Sequence, residues 1–84
     1  MVLAYLLITV EKGKERIAGE KLLHFPEVKN VHILFGEYDL IAKLQTENEI
    51  KLQRLITENI RSVEEITGTR TLIAADITKE TDKI

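Results

Sequence analysis

The chain has 84 residues, with one proline, four glycines and no cysteine. A chain of this length holds one domain, and 44% hydrophobic and 31% charged residues are typical of a folded soluble protein, which excludes a disordered or collagen-like chain. The lack of cysteine excludes disulfides, thiol nucleophiles and cysteine-based zinc sites. The formal charge of -2 leaves no excess of lysine and arginine to neutralise phosphates, so we expect no direct contact with nucleic acid.

The first apolar run, Val2–Val10, predicts a strand that can be buried on both faces. The run is about half as long as a membrane span, and charged Glu11 and Lys12 follow it instead of a signal-peptide cleavage site. We therefore expect a cytoplasmic protein without a membrane partner. Alternate positions place Val2, Ala4, Leu6, Ile8 and Val10 on one face of this strand, and Leu3, Tyr5 and Leu7 on the other.

Residues 14–25 have a helical pattern that ends before Pro26. The apolar stripe of this helix comprises Ile17, Ala18, Leu22 and Phe25. Residues 28–35 and 38–44 predict two strands joined by a turn at Gly36 and Glu37. This part of the chain therefore reads as a helix followed by a β-hairpin.

The second half of the chain predicts one more helix and one more strand. Thr46 and Glu49 fit a capping box that starts a helix, and the helix continues to about Val63. Its apolar stripe comprises Leu52, Leu55, Ile56, Ile60 and Val63. Residues 66–77 predict the fourth strand, with Thr67, Thr69, Thr71 and Ile73 on one side. Residues 78–84 are expected to be a flexible tail.

The element order βαββαβ indicates an α+β, ferredoxin-like fold. Right-handed crossovers place strands one and three in the centre of a four-stranded antiparallel sheet, with both helices on one face. The other face has no cover within the chain, and an apolar area of this kind is not kept in water by a monomer. We therefore expect a homodimer in which two sheets pack face to face. The expected interface residues are Leu3, Tyr5, Leu7, Ile41 and Ile73.

Residues 3–76 resemble the effector-binding domain of the Lrp/AsnC transcriptional regulators, also called the RAM domain, in a form without a helix-turn-helix. The resemblance is carried by the leading apolar strand, by the helix end Leu-Leu-His-Phe-Pro-Glu-Val, and by two motifs at residues 36–41 and 69–73. These motifs read Gly-Glu-Tyr-Asp-Leu-Ile and Thr-Arg-Thr-Leu-Ile. We accordingly take residues 1–77 as the domain. One departure is Glu64-Glu65, where family members commonly have Pro-Gly before the last strand.

The resemblance implies a prokaryotic module that binds a small effector, usually an amino acid, between dimers that assemble into rings. It also implies a role in transcription regulation, which for this chain would include co-assembly with full-length Lrp/AsnC regulators. The residues implied at the ligand site are Gly36, Glu37, Tyr38, Asp39, Thr69 and Thr71. Asp39 suits this role either by accepting a hydrogen bond from an ammonium group or by fixing the loop. Closure of a hairpin explains the first motif equally well, and threonine is also an ordinary strand residue.

Side chains that determine which effector binds are harder to identify. Glu37, Arg70 and His32 are candidates, although exposed charged and polar residues usually have no such role.

No catalytic constellation or cofactor motif is visible in the sequence, so we expect a binding module rather than an enzyme. Two alternatives stay open. The first is a metabolite-binding domain similar to the ACT type, whose ligand loop follows the first strand, where this chain has only Gly13. The second is a dimeric ferredoxin-like enzyme that uses a cavity on the sheet face, which would favour a polar interior over Leu3, Leu7 and Ile41.

Overall fold

A computed structural model describes residues 1–75 of the chain. The elements are β1 (Val2–Val10), α1 (Glu15–Leu22), β2 (Val28–Ile33), β3 (Leu40–Thr46), α2 (Glu49–Arg54), a π turn (Leu55–Asn59), a 3₁₀ turn (Ile60–Ser62) and β4 (Ile66–Ile73). The sheet is antiparallel with the order β2-β3-β1-β4. The predicted βαββαβ order, with strands one and three in the centre, is confirmed.

One face of the sheet is covered by the helices and forms a single hydrophobic core. Ala4, Leu6 and Ile8 of β1 are fully buried there, as are Leu40 and Leu44 of β3. The helical elements contribute Ala18, Leu22, Leu52, Leu55, Ile56 and Ile60 to the same core. The alternation in β1 therefore predicts its buried face correctly, and the predicted stripe of the second helix is buried throughout.

The first helix is shorter than predicted, because the chain leaves the α-helix at Leu22, well before Pro26. The amides of His24 and Phe25 donate to carbonyls three residues back, at 3.2 and 3.1 Å, which is the tighter 3₁₀ pattern. Phe25 still packs against the core from this turn, whereas Ile17 of the predicted stripe is 43% exposed.

The predicted capping box at Thr46 is wrong. Thr46 is the last residue of β3, and its hydroxyl donates to the Asn48 carbonyl at 2.9 Å. Asn48 is the actual N-cap, because its backbone is extended and its side-chain Oδ1 accepts from the amide of Lys51 at 2.8 Å. The second helix consequently begins at Glu49.

The strand ends also differ from the sequence prediction. β2 ends at Ile33 and β3 begins at Leu40, so residues 34–39 form a six-residue connection instead of a two-residue turn. β4 ends at Ile73, and the last two residues of the predicted strand lie outside the described residues, as does the expected tail at residues 78–84.

Glu64-Glu65, the departure from the family pattern, lies in a turn closed by a hydrogen bond from the amide of Ile66 to the carbonyl of Val63 at 3.1 Å. Lys21 Nζ of α1 donates to both carboxylate oxygens of Glu65, at 2.9 and 3.0 Å. This hydrogen-bonded cation holds the pKa of Glu65 below its usual value. The turn is thereby tied to α1.

The strand pairing corrects two predicted side-chain directions in β4. Ile73 pairs with Ala4, which faces the helices, so Ile73 lies on the helix-covered face and not on the bare face expected for it. Leu72, its neighbour, pairs with Tyr5 on the bare face. Thr67 also departs from the alternation, because a β-bulge shifts the register and its hydroxyl donates to Thr9 Oγ1 at 2.9 Å.

Candidate ligand-binding loop, groove and sheet face

Residues 34–39, the connection between β2 and β3, include the first part of the predicted ligand site. The loop is closed at its base by a hydrogen bond from the Leu34 amide to the Asp39 carbonyl, at 2.8 Å. The Asp39 amide in turn donates to the Ile8 carbonyl at 2.9 Å. The loop is therefore attached to the end of β1, the central strand next to β3.

The Asp39 carboxylate holds this attachment. Its Oδ2 accepts a hydrogen bond from the amide of Val10 at 2.8 Å, at the position where the pairing of β1 with β4 shifts register. The structure shows one of the two expected roles of Asp39, because its side chain fixes the loop by a hydrogen bond to the end of β1. Within residues 1–75 the other carboxylate oxygen, Oδ1, makes no hydrogen bond to another residue.

The tip of the loop is exposed. Gly36 has a φ of +157°, a value that residues with a side chain rarely adopt. Glu37 is exposed and Tyr38 is partly buried. Phe35 stands out because its side chain is 99% exposed. The sequence prediction placed Phe35 in a strand and missed it as a surface feature; an aromatic residue directly before the glycine of a turn was the available signal.

Thr69 and Thr71, the other predicted ligand residues, lie on one side of β4 as expected. They pair with Ile8 and Leu6, so both lie on the helix-covered face. Leu40, at the base of the loop, also pairs with Ile8, so Thr69 is two strand spacings from it, about 10 Å. Within one chain the structure does not bring the threonines and the tip of the loop together.

Thr71 lies in a groove between the second helical stretch and the edge strand β4, which we call the α2–β4 groove. The groove consists of two adjoining cavities of about 480 and 210 Å³ that share Gln53, Ile56 and Thr71. The larger is completed by Ile50, Arg54 and Thr57, and the smaller by Glu49, Leu52 and Ile73. An apolar floor with a few polar groups is typical of small-molecule sites.

The bare face of the sheet carries the remaining predicted residues. Leu3, Tyr5, Leu7 and Ile41 lie there and are partly buried in the single chain. Leu72 joins them and is 47% exposed. By strand pairing, the polar side chains on the same face include Thr9, Asn30, His32, Lys43, Gln45 and Arg70, and Thr67 is bonded to Thr9 there. This face combines an apolar area with two cationic side chains, Lys43 on the central strand β3 and Arg70 on the edge strand β4. His32 and Arg70 thus lie on the face opposite to Thr69 and Thr71.

Two further observations concern metals and membranes. Within residues 1–75 there is no cluster of three or more histidine, aspartate or glutamate side chains placed to bind a metal ion. In the same part of the chain, no helix has both the length and the apolar character needed to cross a membrane.

The fold and the strand order together define a ferredoxin-like α+β domain. The model of the Lrp/AsnC ligand binding domain matches residues 3–84, and the chain belongs to this family. Among curated relatives, the HTH-type transcriptional regulator FL11 of Pyrococcus furiosus is 34% identical over 83 residues, which are 99% of this chain and 54% of that protein. The chain thus spans about half the length of the curated relatives it matches.

Solved structures give the same result for the fold. The crystal structure of FFRP-DM1 is 48% identical, with a TM-score of 0.86, and the match covers 89% of this chain and all of that one. The L-Met complex of the transcriptional regulator NMB0573 from Neisseria meningitidis has a TM-score of 0.77 at 17% identity, over 94% of this chain and 53% of that chain. At that identity the likeness concerns the fold alone.

Proposed function

We propose that this chain is an oligomeric regulatory module that recognises an amino acid and acts by binding rather than by catalysis. The observation that carries this proposal is the match of the Lrp/AsnC ligand binding domain over residues 3–84. The L-Met complex of the distant neighbour NMB0573 favours an amino acid as the class of effector.

We place the effector between copies of the chain, against the loop of one copy and the α2–β4 groove of another. In the loop, Gly36 allows the ligand to approach backbone amides closely, while Asp39 holds the loop on Val10. In the groove, Thr71 offers a hydroxyl beside the apolar Ile56. Two copies are required because no described cavity contains both the loop tip and a threonine of β4.

We propose that the basic unit is a homodimer formed through the bare sheet face, and that dimers associate further into a ring. Leu3, Tyr5, Leu7 and Ile41 form a contiguous apolar area there, and Leu72 extends it. An apolar centre inside a polar margin is the usual anatomy of an interface. The ring supplies the contacts between dimers that the effector site needs.

The role in transcription is indirect in this proposal. FL11 is a helix-turn-helix regulator and this chain spans 54% of it. The formal charge of -2 gives no excess of lysine and arginine to neutralise a phosphate backbone. We therefore propose that the chain modulates full-length Lrp/AsnC-type regulators by co-assembly in the cytoplasm, without touching DNA itself.

Thermal-shift measurements with each of the twenty amino acids test the binding proposal. A ligand that binds only the folded protein raises the melting temperature, and at a hundredfold excess over Kd the gain of about 2.7 kcal/mol corresponds to a shift of about 10 °C or more. We expect one amino acid or one chemical group of them to give this shift.

A pair of β4 variants locates the site. Thr71→Val removes the hydroxyl in the groove and is expected to reduce the shift strongly. Thr67→Val makes the same chemical change on the other face of the strand, and its shift should match that of the wild type. Binding of no amino acid, or equal shifts for the two variants, contradicts the proposed site.

A further inference from the structure

Phe35 is an apolar side chain held out into water. It is 99% exposed, and the loop that carries it is anchored by the bond between Leu34 and Asp39 and by the bond from Val10 to the Asp39 carboxylate. Aromatic side chains that insert into a partner surface are among the strongest contributors to association. A well-anchored loop also loses little conformational entropy on binding. These features suit Phe35 to an anchoring role in a protein contact.

Within residues 1–75, grooves with apolar side chains lie at both edges of the helix-covered face, and one of them is the α2–β4 groove. A second groove of about 130 Å³, here the α1–β2 groove, lies at the opposite edge of the sheet and contains the apolar side chains of Leu23, Val31 and Ile33. A further cavity of about 500 Å³ between residues 25–27 and the second helical stretch carries two carboxylates, Glu27 and Glu58, beside Lys51 and Arg54, and suits the loop less well.

Charge distinguishes the two grooves. Glu37 follows Phe35 by two residues, and a partner groove must accommodate its carboxylate. The α1–β2 groove carries Glu15 and Glu20 against a single cation, Arg16, so it presents a net negative charge to Glu37. The α2–β4 groove, by contrast, carries one cation, Arg54, in its larger cavity and one carboxylate, Glu49, in its smaller cavity, so its net charge is zero and the larger cavity is positive. Within residues 1–75 Arg54 has no ion-pair partner.

We propose that the loop of one copy docks into the α2–β4 groove of a second copy, with Phe35 against Ile50 and Ile56 and with Glu37 paired to Arg54. The groove is large enough to admit the aromatic ring of the loop, and its apolar floor and single cation match that ring and the free carboxylate of Glu37. The inference rests on the proposed function. It names the contact through which dimers associate and through which Gly36 of one copy comes close to Thr71 of another.

The loop cannot fill the groove of its own chain. It leaves the sheet between β2 and β3, while the groove lies along β4 at the far edge, two to three strand spacings or about 10 to 14 Å away. The contact is therefore head-to-tail, with each copy offering one loop and receiving another. Contacts of this type close into rings when the rotation between copies allows it, and otherwise give open filaments.

Charge reversal tests the contact in the full chain, with masses measured by light scattering after size exclusion without added amino acid. Phe35→Ala is expected to weaken association beyond the dimer about 30-fold or more, because it removes the anchor. Glu37→Arg and Arg54→Glu are each expected to weaken it about tenfold, and the double variant should restore it, since the pair is rebuilt in reverse. Arg16→Glu is the matched control in the other groove and should leave the mass unchanged.

The possible results separate the docking contact from the proposed function. A wild-type chain that stays a dimer, a double variant that does not recover, or recovery of Glu37→Arg by Arg16→Glu would each overturn the docking contact. Amino-acid binding is measured separately by thermal shift. If it persists while the charge-reversal variants fail, the docking contact is wrong and the amino-acid-binding function stands; a wild-type chain that stays a dimer also removes the proposed effector site between copies. Phe35, Glu37 and Arg54 are exposed, so loss of folding does not confuse the result, and circular dichroism checks it.

Discussion

Leu6 and Leu7 are neighbours on β1, yet they belong to two different environments. Leu6 is fully buried beneath the helices of its own chain, while Leu7 lies on the bare face and keeps part of its surface in water. Both faces of this strand are apolar, so the difference lies in what covers them. The comparison indicates that the chain completes one hydrophobic layer by itself and leaves the other face uncovered, which is the face we propose for the homodimer.

The two faces also differ in chemistry. Every large side chain that is fully buried on the helix-covered side is aliphatic. The bare side combines an apolar centre with Lys43, Arg70 and His32. Charged side chains on such a face restrict how two sheets can pair. The covered face therefore stabilises the fold, whereas the bare face is the one that we propose selects the partner.

The largest expected effect comes from shortening a side chain on the covered face. Leu6→Ala leaves a cavity in a layer that cannot collapse, so the free energy of unfolding should fall by about 3 to 4 kcal/mol at any protein concentration. Leu7→Ala should cost less, and its cost should shrink on dilution, because part of its burial depends on a second copy. Urea denaturation of both variants at two concentrations checks this; equal, concentration-independent losses would contradict the difference between the faces.

A smaller effect is expected from two adjacent residues of β4 with similar exposure. Leu72 is 47% and Ile73 53% exposed, but they lie on opposite faces. Leu72→Lys places a charge in the proposed dimer interface and is expected to weaken dimer formation about 30-fold. Ile73→Lys changes the α2–β4 groove instead and should leave the dimer intact.

Sedimentation velocity over a dilution series distinguishes the two β4 variants. Dimer loss in Ile73→Lys but not in Leu72→Lys would mean that the strand register, and with it the assignment of the faces, is wrong.

Local patterns predicted much of the fold. The two apolar sets of β1 and the stripe from Leu52 to Val63 identify the strand and the helical stretch correctly, because both depend only on the spacing of residues along one element. The spacing does not show that the α-helix ends at Arg54 and continues as a π turn and a 3₁₀ turn. The N-cap was missed although it too is local. Thr46 and Asn48 are both good capping residues, and the extension of β3 to Thr46 determines which of them is used.

Features that depend on neighbouring strands were not predictable in the same way. The alternation in β4 places Thr69, Thr71 and Ile73 together, but only the pairing with β1 shows that their side faces the helices. The bond between Asp39 and Val10 joins residues 29 positions apart, and no local motif signals it. The sequence therefore identifies candidate site residues but not their positions relative to one another, because the loop and the β4 threonines lie in different parts of the sheet.

The central claim is that the bare sheet face pairs with a second copy, and sedimentation equilibrium of the wild-type chain at micromolar concentration tests it most directly. The account predicts a mass that is an even multiple of the 9.6 kDa chain and that persists on dilution until the dimer dissociates. A folded species of 9.6 kDa at these concentrations would contradict it.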